Sequence, residues 1–263
     1  MSKWALVLCC VVYVNACAGF GAREPVRRNE HVYASGENVD LNHWVTLPGR
    51  NELAFLGVSG RQSRPGAEID IAREHAAMKV AMFHGLQVEV FHTQSIGAGF
   101  FDYYLNTSIN VEFDRNLDTY LDKLSFDPEK DIFKRNNAVF VRFTYPGSFP
   151  GDINYISDKN ANGSPRWTTS PPQIDGFIAG VGFVRRQERI RDALIRSAEA
   201  AAASIVSNLS SSIHAGETAT ITQTASFVQQ HSRGSLTGFF ILETWIDPDT
   251  EAVWTLAIAR SAN

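Results

Sequence analysis

The chain has only three cysteines, and none lies beyond residue 17. With Cys9, Cys10 and Cys17 crowded at the N-terminus, no disulfide framework can hold the body together, and no C-x-x-C pair offers a zinc knuckle. An excess of positive charge is lacking as well: 24 basic residues stand against 28 acidic ones, for a net charge of −4. Without that excess there is no stripe for the counterion release that drives nucleic-acid binding, and no polybasic attraction to anionic lipid. No apolar run after residue 14 approaches the roughly 20 residues that a spanning helix needs.

Catalytic and metal signatures are equally scarce. The seven histidines sit at 31, 43, 75, 84, 92, 214 and 231, with no H-x-x-x-H or H-E-x-x-H pair to set two imidazoles on one helical face. They are read as surface or boundary residues. There is no G-x-S-x-G nucleophile elbow, and Ile96-Gly97-Ala98-Gly99-Phe100 lacks the lysine of a phosphate loop. Asp118 and Asp122, with Arg115 and Lys123 beside them, read as a solvated charged face rather than a two-carboxylate site. The expectation is therefore no catalytic residue, no metal and no cofactor.

What is present begins at the N-terminus. Lys3 precedes eleven residues, 4–14, unbroken by charge, the length of a signal-peptide apolar core and too short to span a bilayer. Val14-Asn15-Ala16-Cys17 then resembles the lipobox of bacterial lipoproteins, with Asn15 where a smaller residue is usual. Cleavage before Cys17 makes residues 1–16 the signal peptide and Cys17 the lipidation site, since several acyl chains anchor a protein where one is marginal. Ala16-Cys17-Ala18 also fits cleavage of the A-x-A kind, which releases a soluble periplasmic protein. Residues 17–50 read as a tether, with a short strand near His43-Trp44-Val45-Thr46-Leu47.

One pattern then occurs twice. Phe55-Leu56-Gly57-Val58-Ser59-Gly60 is answered by Ile178-Ala179-Gly180-Val181-Gly182-Phe183, and each is followed by a basic polar stretch and an alanine-rich amphipathic helix. Ile69, Ala72, Ala76, Val80 and Phe83 share one helical face; so do Ile190, Leu194, Ala198, Ala201, Ile205 and Leu209. Pro65 and Gly85 punctuate the first helix. Both units carry an Asp-Pro-acidic turn, Asp127-Pro128-Glu129 and Asp247-Pro248-Asp249, between apolar strands. Residues 146–175, rich in Pro, Gly and Asn, read as a linker. The fold class is thus α+β, with two related domains at 51–145 and 176–263, each a long helix on a small antiparallel sheet.

The order of these features resembles the Lpp-twenty family of bacterial lipoproteins, here in tandem. The likeness rests on the lipobox, on the strand and helix from Ile178 through Ala198-Glu199-Ala200-Ala201, and on Trp245-Ile246-Asp247-Pro248-Asp249 before Ala252-Val253-Trp254. The usual member looks like a single copy, so a tandem pair departs from the pattern. The resemblance implies a non-enzymatic envelope protein of the outer membrane or periplasmic face, some members being surface antigens or tied to flagellar assembly. It carries no catalytic residue over.

Two aromatic groups stand out as candidate contact surfaces. Phe100, Phe101, Tyr103 and Tyr104 follow the glycine turn; Phe239, Ile241 and Trp245 lie on a strand whose other face, with Phe240, Leu242 and Ile246, is apolar too. Such a strand must be covered on both sides, by the other repeat, by a second copy of the chain or by an envelope partner. The expected function is structural or interactive, with the membrane as partner through the acyl chains and no nucleic acid. A periplasmic binding module for a small molecule or glycan is the alternative, and an envelope hydrolase a third reading.

Overall fold

The computed structural model describes residues 42–49, 51–60, 62, 64, 66–96, 103–135, 137–185, 187, 189–214 and 227–261. The expected signal peptide, Cys17, most of the tether, Pro65, Phe100 and Phe101 lie outside them. The described residues all fall in one compact unit. In chain order they form β1 (His43–Val45), β2 (Glu52–Gly60), α1 (Ala67–His84), β3 (Leu86–Ile96), β4 (Tyr103–Glu112), α2 (Asp118–Leu121), β5 (Ile132–Arg135), β6 (Ala138–Pro146), a 3-10 turn (Arg166–Thr168), β7 (Ile178–Val184), α3 (Ile190–His214), β8 (Phe227–Ile246) and β9 (Val253–Ser261).

The class is α+β, and every strand pairing is antiparallel. The strands do not sort by repeat. One sheet runs β4-β3-β8-β9-β7 with β1 also paired to β8; the other runs β2-β6-β5. In place of a sheet for each repeat, the larger sheet takes β3 and β4 from the first and β7, β8 and β9 from the second. The cause is β8, which is 20 residues long. Its first half pairs with β3 from Phe227 to Leu236, and its second half pairs with β1 and β9.

Two strand–helix contacts hold the layers together, and both depend on small residues. A Cβ on Gly57 of β2 would stand 2.0 Å from the Ala72 carbonyl oxygen of α1; on Gly182 of β7 it would stand 1.8 Å from that of Ser197 in α3. Backbone therefore rests on backbone, which explains the glycines on the strands and the alanines on the helices. Along α1, Ala72, Ala76 and Val80 are buried with Ile69 and Phe83 at the margin; along α3, Leu194, Ala198, Ala201 and Ile205 are buried with Ile190 and Leu209 at the margin. Both expected helical faces are the observed ones.

The doubly apolar strand is covered by the other repeat. Phe239 packs with Leu236, Ala257 and Ala259 under α3, in the same cluster as Ala201, Ile205 and Val206. On the opposite face Phe240 meets Phe55 of β2, with ring centroids 5.5 Å apart, and Phe149 from the segment after β6 at 5.4 Å. Phe239 and Phe240 thus pack into different clusters, the first with α3 and the second with β2 and the segment after β6. Phe239 is 2% exposed, and Ile241 and Trp245 are partly buried against the core, so much of this group's surface is taken up by packing within the chain.

Two further expectations are corrected. Residues 146–175 are no linker: Phe149, Trp167 and Ile174 are buried in the main core. The short strand expected near His43–Leu47 is found at His43–Val45, but it is built into the larger sheet and so is not part of a free tether, with Trp44 1% exposed and stacked on Phe140. The two Asp-Pro turns have the same local geometry, since Asp127 Oδ1 accepts the Glu129 N–H and Asp247 Oδ1 the Asp249 N–H, each at 2.9 Å. Their places differ. The second is the β8–β9 hairpin loop, whereas the first is an outward loop between the Ser125–Thr144 bridge and β5.

β2 is the edge of the smaller sheet, and its outward backbone groups are taken by α1 side chains one turn apart. Lys79 Nζ donates to the Leu56 carbonyl at 2.7 Å, and the Val58 N–H donates to His75 Nδ1 at 3.1 Å. Covering an edge this way withholds it from pairing with other chains.

Gly182→Ala should cost about 3 kcal/mol of stability, because neither backbone can yield. Gly60→Ala, where nothing lies within 4 Å of the new Cβ, should leave the melting temperature nearly unchanged. Thermal unfolding of the two variants beside the parent checks the contrast; equal shifts would contradict the close-approach account.

Candidate functional site

The densest polar cluster in the described core surrounds Glu243 of β8. An acidic residue in the apolar run Phe239-Phe240-Ile241-Leu242-Glu243-Thr244-Trp245-Ile246 has no place in a simple alternation. The register of β8 against β9 shifts between Ile241 and Glu243. An inserted residue of this kind re-aims the side chains that follow it. Glu243 and Trp245 accordingly face the side of Phe240 and Leu242, whereas strict alternation would put Trp245 with Phe239 and Ile241.

There the carboxylate is fully buried and well supplied with donors. Oε2 accepts from His43 Nε2 at 2.6 Å and from Trp167 Nε1 at 2.5 Å, while Oε1 accepts from the Tyr155 hydroxyl at 2.6 Å. Ser157 adds a further hydrogen bond. Burial by itself pushes the Glu243 carboxyl up, but the bonds from His43, Tyr155 and Ser157 and the charge of His43 outweigh it, holding the group below the ordinary glutamate range. The Tyr155 hydroxyl is driven far above the usual tyrosine value, first by burial and then by the neighbouring carboxylate.

The four donors come from two places. His43 lies on β1, while Tyr155, Ser157 and Trp167 lie on the long segment between β6 and β7. One carboxylate therefore fastens both to the sheet. Its oxygens are occupied and its surroundings exclude solvent, so the arrangement as it stands is a polar staple. A buried acceptor satisfied by several donors stabilises; the same acceptor left short of them costs heavily.

The candidates drawn from sequence fall apart in space. Cys17, Phe100 and Phe101 lie outside the described residues. Tyr103 and Tyr104 begin β4, paired with Ile96 and Ser95 of β3. Asp118 and Asp122 are exposed, as a charged face requires. Two histidines correct the surface reading, since His43 and His75 are both buried. His84 stacks on Tyr120 and bonds Tyr145, and His231 stacks on Phe91 and pairs with Glu89 at 2.9 Å. Among the described residues no group of three or more His, Cys, Asp or Glu side chains could hold a metal ion, and no helix is long and apolar enough to cross a membrane.

Glu243→Gln should lower stability at pH 7 by about 2–3 kcal/mol, because the amide turns a donor toward donors. Glu243 has a folded pKa below its unfolded one, so its contribution is present above about pH 4.5 and is lost as pH falls through the folded value. The parent should therefore lose stability below pH 5 more steeply than the variant. Urea midpoints at pH 7, 5 and 4 read both effects, and parallel pH profiles would contradict them. No family model matches the chain, and neither does any curated protein or solved structure.

Proposed function

We propose that this chain is a lipid-anchored bacterial envelope protein whose folded body works by assembly or interaction. The observation that carries the reading is Val14-Asn15-Ala16-Cys17, placed directly after an eleven-residue uncharged core. Cys17 is also the last cysteine of the chain, so a body without thiols follows an acylated N-terminus. The likeness to the Lpp-twenty lipoproteins points the same way, to the outer membrane or to the periplasmic face of a membrane. Two β-α units whose strand glycines meet small helix residues, Gly57 at Ala72 and Gly182 at Ser197, support the tandem reading of that likeness.

A second reading, a periplasmic module that binds a small molecule, is favoured by one feature. A pocket lies where the two halves meet, bounded by Phe55 of β2, Lys79 of α1 and Phe239 of β8.

The test is metabolic labelling of the full-length protein with a palmitate analogue. Label should appear on the parent, which fractionates with membranes, and should vanish in Cys17→Ser. Label that persists in the variant, or an unlabelled soluble parent, would overturn the anchor.

A further inference from the structure

β7 ends the larger sheet on one side. It pairs with β9 alone, and no hydrogen bond among the described residues reaches its other side. Both edges of the smaller sheet are guarded, β2 by His75 and Lys79, and β5 by its four-residue length and by Lys134 and Arg135. β7 has neither device. Its seven residues, Ile178-Ala179-Gly180-Val181-Gly182-Phe183-Val184, hold no charge and no proline. Phe183 is 44% exposed beside Trp254. An edge left in that state is a template for another strand.

The two halves of the chain show why the edges differ. Gly57 meets Ala72 and Gly182 meets Ser197, which fixes a correspondence between α1 and α3. His75 and Lys79 follow Ala72 by three and seven residues; the same steps from Ser197 lead to Ala200 and Ser204. Both are too short to reach around the strand. The groups that match the covered Leu56 carbonyl and Val58 N–H are the Val181 carbonyl and the Phe183 N–H.

We propose that the partner of β7 is β7 of a second copy of this chain, paired antiparallel about Val181. The contact is isologous, with a two-fold axis through the joined sheets. This register sets Ala179 against Phe183, so a small residue leaves room for each exposed ring, and it sets Gly180 against Gly182. Carried just past the strand, it places Arg185 of one copy diagonal to Asp175 of the other, twice by symmetry. Both residues are exposed, and opposite charges at that spacing attract. The helices over the two strands meet on Ala200 and Ser204, whose size permits close approach. Seven residues a side make a small contact, so the dimer is weak in solution and gains from a tether that concentrates the chains on a surface. The pairing rests on the assembly role proposed for this body and gives it a partner, while its test does not depend on whether Cys17 is acylated.

With no cysteine after Cys17, a cysteine placed on β7 reports what lies beside it. Full-length protein carrying Val181→Cys is oxidised briefly with copper phenanthroline and run on a non-reducing gel, beside the parent and Lys130→Cys on an exposed loop. Above the parent's own rate, Val181→Cys should form linked dimer roughly ten-fold faster than Lys130→Cys, because facing Cα atoms on paired strands lie within disulfide reach. Adding Arg185→Asp brings like charges together and should slow the linkage roughly five-fold; adding Asp175→Arg as well should restore it. Both charge positions are exposed, so these variants keep the fold. Val181→Cys linking no faster than Lys130→Cys would overturn the proposal. So would a rate that Arg185→Asp leaves unchanged, or one that the double reversal fails to restore.

Discussion

The carboxylate of Glu243 is the point through which distant parts of this chain become one structure. It gathers His43 from 200 residues earlier in the sequence, Tyr155 from 88 and Trp167 from 76. Without an acceptor at that position, a segment rich in proline, glycine and asparagine would have little reason to lie on the sheet. With it, Phe149, Trp167 and Ile174 enter the main core beside Phe240 and Leu256. The carboxylate reaches them because β8 carries an irregularity between Ile241 and Glu243. A local defect in strand pairing thus sets a global contact.

A second constraint acts at shorter range. Where β2 meets α1 and β7 meets α3, the backbones approach so closely that Gly57 and Gly182 have no room for a side chain. The two contacts give the halves their common β-α theme. The long strand β8 then departs from that theme by extending past β9 to pair with β3. A hairpin of the first half becomes the outer edge of a sheet whose centre belongs to the second. Its solvent face is polar, with Glu89 beside His231 and Asn110 opposite Glu89, while Val88 and Val90 point into the core.

Much of this was legible in the sequence because the signals were periodic. Alanines and β-branched residues at helical spacing marked the buried faces of α1 and α3, and the alternation in Ala138–Pro146 marked β6. The cover over both faces of β8 was also foreseen as a need, and the first half meets it. What was not legible depended on long-range partners or on non-periodic backbone. Residues 146–175 look like a linker because the group that orders them lies on β8. Strict alternation sets Trp245 on the wrong face because an irregularity in register leaves no mark in composition. His43 and His75 read as surface residues because their partners, a carboxylate and a strand N–H, are unrelated to them in sequence. One signal is readable in the run itself: a glutamate amid Phe239-Phe240-Ile241-Leu242 and Trp245-Ile246 cannot stay buried without several donors.

The central claim is that one buried carboxylate joins the segment after β6 to the sheet. Native-state hydrogen exchange of the Trp167 indole N–H, followed beside backbone amides of β8 and β9, tests it most directly. The account predicts that the indole exchanges only with global unfolding, at the same opening free energy as the strand amides and with the same response to denaturant. An indole that exchanges through its own low-energy opening, while β8 and β9 stay protected, would contradict it.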